Sequence, residues 1–226
     1  MATAGEALPK DRSFVSRLAA HEIVGMIAAK EIGIEEVVRD VLRDVEAVDP
    51  LLNCFVALDP DHVLAQAARL QRLMASDASS LSSLGGLPIP VKDLIAAAHY
   101  PTTFGSKPFQ GNRMDADAPA VKRVLSRQAI LFGKTTTSEF GCKATGYSPL
   151  TGHTRNPWHL ALTPGGSSSG SAAAVAAGLA AVALGADEGG SVRIPAALTG
   201  IVGFKPTFRR APVHPISATP TVGHVG

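Results

Sequence analysis

Serines gather in a stretch of glycine and alanine between positions 163 and 196, TPGGSSSGSAAAVAAGLAAVALGADEGGSVRIPA. Four of them stand directly before the run of alanines: Ser167, Ser168, Ser169 and Ser171. A fifth, Ser191, follows two glycines, which let the backbone turn tightly and aim successive N–H groups at one point. Such donors hold a carbonyl oxygen that becomes negative during acyl transfer. The pattern at 187–193 therefore indicates an acyl-transfer site in which Ser191 attacks.

A serine nucleophile needs a base that takes its proton. None of the seven histidines lies near this motif in sequence, whereas Lys92 ends the apolar run LPIPV at 87–91. The ordinary lysine pKa of about 10.4 would have to fall by roughly 3 units, a bias of about 4 kcal/mol against the ammonium, which burial can supply. Asp93 would oppose that fall if it faced the amine. Because neighbours in a strand point to opposite faces, we expect Asp93 to point away.

The glycine–serine cluster at 165–171 has other interpretations. It is consistent with a flexible linker, a helix N-cap or an anion-binding cradle of backbone N–H groups, besides catalytic serine chemistry. Linkers do not usually open into an apolar helix, which disfavours the first of these. A nucleotide-binding loop is suggested by Gly133-Lys134-Thr135 after a predicted strand, but Gln128 stands where that loop requires glycine. Nucleotide binding is therefore not favoured.

Helices and strands alternate in the pattern of apolar residues. Apolar residues at three- and four-residue steps predict a helix from Ile34 to Val48, ended by Asp49-Pro50, and Asp59-Pro60 begins another that runs to about Met74. The segment LLNCFVAL at 51–58 is typical of a short strand or extended link. The alternation favours an α/β fold over an all-helical one.

The second part of the chain carries the candidate site residues. The run LPIPVKDLI at 87–95 leads into Lys92, a helix is predicted at 117–128, and AILF predicts a buried strand. Alanines from Ser171 onward predict a central helix, followed by a strand near 180–185. We expect residues 1–75 to form a helical cap on a catalytic core at 76–226, within one structural domain.

Composition limits the classes of function. Hydrophobic residues make up 46% and charged residues 18% of the 226 positions, so the chain can bury a sizeable core. A net charge of +2, no run of five like charges and 5% aromatic residues argue against a nucleic-acid partner and a membrane surface. The two cysteines, Cys54 and Cys142, fit no metal-ligand spacing and are expected to be buried, reduced thiols. No secretory signal is evident, so a cytoplasmic location is expected.

Three motifs together resemble the amidase signature family: GLPIPVKD around Lys92, the GGSSSG run, and GADEGGSVRIPA followed by GIVGFKPT. The similarity extends over about residues 20–226 and is most specific at 85–95 and 146–207. It implies an α/β fold in which a mixed β-sheet is sandwiched between helices. The family domain usually continues well beyond position 226, so the resemblance implies that the chain carries its N-terminal part.

The resemblance also implies a catalytic set of two serines and a lysine. Ser191 would be the nucleophile, Lys92 the base, and Ser167, which follows a cis peptide bond after Gly166, the relay between them. The family's spacing, rather than the serine run itself, selects Ser167 as the relay. The implied oxyanion donors are the backbone N–H groups of Glu188, Gly189, Gly190 and Ser191. The implied supporting residues are Gly166, Ser168, Ser169, Asp187 and Arg193, the last two as an ordinary ion pair, with Ser171 in packing.

Three functions stay open on this resemblance. The first is a standalone amidase that hydrolyses a small-molecule amide without metal or cofactor. The second is the A subunit of a glutamyl- or aspartyl-tRNA amidotransferase, which the segment GCKATGY at 141–147 disfavours because it lacks a Ser-Thr-Glu-Asn-Ser-like stretch. The third is an inactive fragment or binding module. A homodimer is an open alternative for its assembly.

Glu188 departs from the family pattern, in which this position often carries threonine, glycine or a small apolar residue. Its carboxylate would repel an oxyanion unless the side chain turns away.

Overall fold

The computed structural model describes residues 8–9, 11–76, 81–208 and 210–212. Its α-helices are α1 (Ala20–Ala28), α2 (Ile34–Leu52), α3 (Pro60–Ser76), α4 (Pro119–Ser126), α5 (Ser169–Ala176) and α6 (Arg193–Thr199). Its strands are β1 (Phe55–Ala57), β2 (Pro88–Lys92), β3 (Ile130–Thr135), β4 (Tyr147–Ser148) and β5 (Gly152–His153). Short 3₁₀ turns lie at Val15–Arg17, Lys107–Phe109 and Glu139–Gly141. Helices and strands alternate as the sequence predicts.

A mixed three-stranded sheet lies at the centre, in the order β1-β3-β2. β1 runs antiparallel to β3, whereas β2 runs parallel to it and pairs Lys92 with Thr135. Every residue of β2 and β3 is buried, which explains why both read as continuous apolar runs rather than as alternating patterns. Because the two strands are parallel, their carboxyl ends lie side by side, and each of them carries a lysine there.

The N-terminal helices pack on this sheet in one continuous core. α2 buries its apolar stripe, including Val37, Val41 and Val48, and it contacts α3, which in turn contacts β3. The same cluster of buried side chains extends through Ile89 and Phe132 of the sheet and into α5. At α3, Asp59 Oδ1 accepts the N–H of His62 at 3.0 Å, so the predicted N-cap is present.

The predictions for residues 49–58 and for Cys142 need correction. α2 continues through Pro50 to Leu52, because burying Leu52 offsets the one hydrogen bond that a proline removes in a last turn, and Asn53 then ends the helix in a left-handed conformation. Residues 51–52 are therefore helical, and the predicted strand at 51–58 shortens to β1. Cys142 is exposed, so the expectation of two buried thiols holds for Cys54 alone.

The strand predicted near 180–185 is reduced to a single bridge within the described residues. Leu184 pairs with Val91 of β2 in parallel, through hydrogen bonds that join Leu184 to Pro90 and Lys92 at 3.0 Å each. Beyond this bridge the chain turns toward residues 186–191. That turn places Ala186 beside Lys92, at the carboxyl end of β2.

Candidate active site

Lys92 lies at the end of β2 with its side chain fully buried. Its Nζ donates to Ser167 Oγ at 2.7 Å and to the carbonyl oxygen of Ala186 at 3.2 Å. Burial lowers the pKa of Lys92 to about 7, although the negative charges of Glu188 and Asp187 act to raise it. A substantial fraction of this amine is therefore neutral near pH 7, as a proton acceptor must be.

Ser167 is held between two loops. The peptide bond that joins Gly166 to Ser167 is cis, and the Ser167 side chain is buried. A Cβ at Gly166 would lie 2.5 Å from the carbonyl oxygen of Thr145, and one at Gly141 would lie 3.2 Å from Ser167 Oγ. The loop that contains Gly141 and Thr145 therefore packs directly on Ser167, and glycine is required at position 166 for that approach.

Ser168 ties the serine run to the segment that carries Ser191. Its backbone N–H donates to the carbonyl oxygen of Ser191 at 3.1 Å, and its hydroxyl bonds both the N–H and the carbonyl of Ala186, at 3.3 and 3.2 Å. Ser169 Oγ donates to the Thr136 carbonyl at 3.4 Å. Ser171 is buried and lies 2.7 Å from Thr135 Oγ1, which agrees with its expected packing role.

Asp187 organises the turn that precedes Ser191. Its buried carboxylate accepts two hydrogen bonds from the Arg193 guanidinium at 2.9 Å, and the backbone N–H groups of Gly190, Val192 and Arg193 at 2.8–3.2 Å. Burial alone would raise the pKa of Asp187, but the bonds from Arg193 and the backbone outweigh burial and hold it well below its ordinary value. The expected ion pair is therefore present and fixes the turn geometry.

The candidate nucleophile lies at the open side of this turn. Ser191 is half-buried and stands two residues before α6. The structure brings Lys92 and Ser167 into direct contact and ties the Ser191 backbone to Ser168, but within the described residues Ser191 Oγ makes no hydrogen bond. Of the four expected oxyanion amides, that of Gly190 donates to Asp187. The amides of Gly189 and Ser191 have no acceptor among the described residues.

Two features of the site were not found from the sequence. The Ala186 carbonyl, which accepts a hydrogen bond from Lys92, could not be identified from the sequence because every residue has such a backbone group. A buried ion pair joins Asp93, next to Lys92, to Lys134 of β3 at 3.1 Å. A charged residue inside the apolar run AILFGK signals such a partner, but only the strand pairing identifies it. Asp93 does face away from the Lys92 amine, as expected.

The surroundings of the site are apolar on one side. A cavity of about 530 Å³ is lined by residues that include Ser168, Val192 and Phe204, the last of which is largely exposed.

In the described part of the chain, no group of three or more His, Cys, Asp or Glu side chains is arranged to bind a metal ion. Nor does any helix there have the length and apolarity that crossing a bilayer demands.

Comparison with known proteins identifies the family. The family model described as Amidase matches residues 36–225. The chain belongs to the amidase family. A bacterial aryl acylamidase of the amidase signature family superposes on this amidase chain with a TM-score of 0.84 and 35% identity, over 89% of this chain and 42% of that one. The peptide amidase from Stenotrophomonas maltophilia gives a TM-score of 0.81 and 37% identity, over 88% and 43%. The predicted α/β fold of the amidase signature family is thereby confirmed.

One relative by sequence has a different role. The A subunit of the glutamyl-tRNA(Gln) amidotransferase of Acidothermus cellulolyticus is 43% identical over 192 residues, which are 85% of this amidase chain and 38% of that protein. The chain thus spans about two-fifths of the length of the relatives that it matches.

Proposed function

We propose that the chain carries the catalytic relay of an amidohydrolase that cleaves a carboxamide C–N bond through a serine acyl-enzyme. The observation that carries this proposal is the 2.7 Å hydrogen bond between the buried Lys92 amine and Ser167 Oγ. A buried amine with a pKa near 7 is matched to proton transfer at neutral pH, which is the task of a general base.

In this mechanism neutral Lys92 takes the proton of Ser167, and Ser167 takes that of Ser191 as Ser191 Oγ attacks the substrate carbonyl carbon. The relay then returns a proton to the departing amine, and an ester to Ser191 remains. Water, activated by the same relay, hydrolyses that ester and restores the serine. Ser191 Oγ must approach Ser167 Oγ when substrate binds, since catalytic hydrogen bonds often tighten only in the complex.

The oxyanion would be held by the backbone N–H groups of the turn at 188–191. The amides of Gly189 and Ser191 suit this role best, because neither donates to an acceptor among the described residues. The amide of Gly190 already donates to Asp187. Asp187 and Arg193 hold the turn and take no part in proton transfer. The substrate is a small-molecule amide, and the mechanism uses neither a metal nor a cofactor.

The experiment that tests the proposal is labelling of the chain with a fluorophosphonate probe, which reacts only with an activated serine. We expect a single modification, located at Ser191 by peptide mass spectrometry, and none in Ser191→Ala. Ser168→Ala is a poor control because it removes contacts to Ala186, so Ser76→Ala at the end of α3 is the matched variant. Labelling that persists in Ser191→Ala would contradict the proposal.

A second candidate function is the A subunit of a tRNA-dependent amidotransferase, in which the same relay releases ammonia from glutamine. The 43% identity to a protein of that kind favours it. It predicts glutaminase activity that depends on partner subunits. Comparing hydrolysis of L-glutamine with that of simple aliphatic and aromatic carboxamides, with and without co-expressed partner subunits, separates it from a standalone amidase.

A third candidate is a chain without activity by itself. It is favoured by the apolar cavity that lies open beside the turn. The same labelling experiment distinguishes it, because an unreactive Ser191 in a folded chain is its expected result.

Glu188 is expected to tune the relay through the pKa of Lys92. Its negative charge raises that pKa, so Glu188→Gln should lower the pKa below its present value of about 7. The rate of fluorophosphonate labelling should rise with pH around a midpoint of about 7 in the wild type, and this midpoint should move to lower pH in the variant. Glu35→Gln, on α2, is the control and should leave the midpoint unchanged. A shift of the Glu188→Gln midpoint to higher pH would refute this electrostatic role.

A further inference from the structure

A second buried lysine lies on the strand that pairs with the one carrying Lys92. Lys134 is on β3, fully buried, and its Nζ lies 3.1 Å from Asp93 Oδ1, with the Asp93 carboxylate also buried. Thr103 adds its backbone N–H to both carboxylate oxygens, at 3.1 and 3.2 Å, and its hydroxyl to Oδ2. Both oxygens of this carboxylate therefore have polar partners, on the side of the Asp93 side chain that faces away from Ser167.

The Lys134 amine also has hydrogen-bond acceptors besides Asp93. Its Nζ donates to Thr102 Oγ1 at 2.9 Å and to the carbonyl of Pro101 at 3.2 Å. The pair thus joins β3 to the loop at 101–103 that follows β2. Removing one partner of a buried ion pair is destabilising, because the other charge stays buried without a counter-ion. Asp93 and Lys134 therefore hold each other in place.

The strand pairing places the two lysines on opposite faces of the sheet. Lys92 pairs with Thr135, whose hydroxyl contacts Ser171 of α5, so the relay lies on the α5 face. Lys134 pairs with Val91, one residue earlier, and side chains alternate along a strand. Asp93, the residue after Lys92, accordingly points to the face of Lys134.

Three carboxylates lie near Lys92: two on the turn before α6, and Asp93, whose side chain points to the other face of the sheet. Glu188 and Asp187 lie on the turn before α6, and Asp187 is compensated by its two bonds from Arg193. Asp93 is adjacent to Lys92 in the chain and is compensated by Lys134. A negative charge near an amine favours the ammonium, which cannot act as a base, and buried charges are screened less than exposed ones even where they do not touch. Compensation of Asp93 therefore bears directly on the relay.

We propose that Lys134 is a positioning residue of the relay: by pairing with Asp93 it fixes the end of β2 and cancels the negative charge next to Lys92. This inference rests on the proposed function, since it concerns the base of that mechanism. Lys134 itself touches neither Ser167 nor Ser191 within the described contacts.

The test is the pH dependence of fluorophosphonate labelling at Ser191 in charge variants of the pair. Lys134→Met leaves the Asp93 charge uncompensated and should move the midpoint to higher pH. Asp93→Asn leaves the Lys134 charge and should move it to lower pH. A shift of about one pH unit or less is expected for a buried unit charge that does not contact the Lys92 amine. The double variant and Lys134→Arg should both stay near the wild-type midpoint.

Opposite shifts in the two single variants support the proposal, because a merely structural role would lower the labelling rate without moving the midpoint. Wild-type midpoints in both single variants, folded by circular dichroism, would overturn it. Should Lys134→Met not fold, Asp93→Asn decides alone, since its shift has the opposite sign. Absence of labelling in the wild type is a separate result, which contradicts the proposed function instead.

Discussion

Lys92→Met is expected to slow labelling of Ser191 by about 10²–10⁴-fold at pH 7, the usual contribution of a general base. Methionine keeps the apolar volume of the lysine stem but cannot take the proton of Ser167. The measurement is the second-order rate constant for fluorophosphonate labelling. Lys122→Met, on the exposed face of α4, is the matched control and should label like the wild type. A Lys92→Met variant that labels at the wild-type rate would exclude Lys92 as the base.

The same substitution should not unfold the protein. The pKa of Lys92 is about 7 when folded, compared with 10.5 for an ordinary lysine, so the unfolded chain binds the proton more tightly. Burying this amine therefore costs stability at and below pH 7, and the cost diminishes as pH rises toward 10.5. Lys92→Met should gain on the order of a few kcal/mol in free energy of unfolding near pH 6. Lost labelling together with a raised melting temperature would separate chemistry from folding.

Gly170→Ala is expected to destabilise the fold by about 3 kcal/mol or more. Gly170 lies in the first turn of α5, where a Cβ would stand 2.3 Å from the carbonyl oxygen of Cys54 and 2.4 Å from the backbone nitrogen of Thr136. Both are backbone atoms, so α5 would have to move away from the sheet, and Ser167 with it. Urea unfolding followed by circular dichroism measures the loss.

Gly25→Ala is the matched control for this substitution. Gly25 is inside α1, and a Cβ there would meet no heavy atom within 4 Å. Alanine should stabilise that helix by about 0.5–1 kcal/mol. A Gly170→Ala variant as stable as the wild type would show that α5 tolerates displacement, and would weaken the case that its packing positions Ser167.

The fold class, the helices α2 to α5 and the two central strands follow from local patterns in the sequence. Periodic apolar positions fix α2, Asp59-Pro60 fixes the start of α3, and buried parallel strands appear as unbroken apolar runs. These signals are local, because each depends on residues a few positions apart. The end of α2 at Leu52 instead depended on burial against the sheet, which local helix signals do not report.

The sequence also determined which residues are candidates for the site, through the glycine–serine motifs and Lys92. Alternation along the strand predicted that Asp93 points away from the Lys92 amine. The residue pattern alone could not determine that the amine meets Ser167, because that contact depends on which face of the sheet α5 covers. The pairing of Leu184 with Val91 brings the Ala186 carbonyl to the amine, and the pairing of β2 with β3 brings Lys134 to Asp93. Both contacts join residues far apart in the chain, so only the tertiary structure decided them.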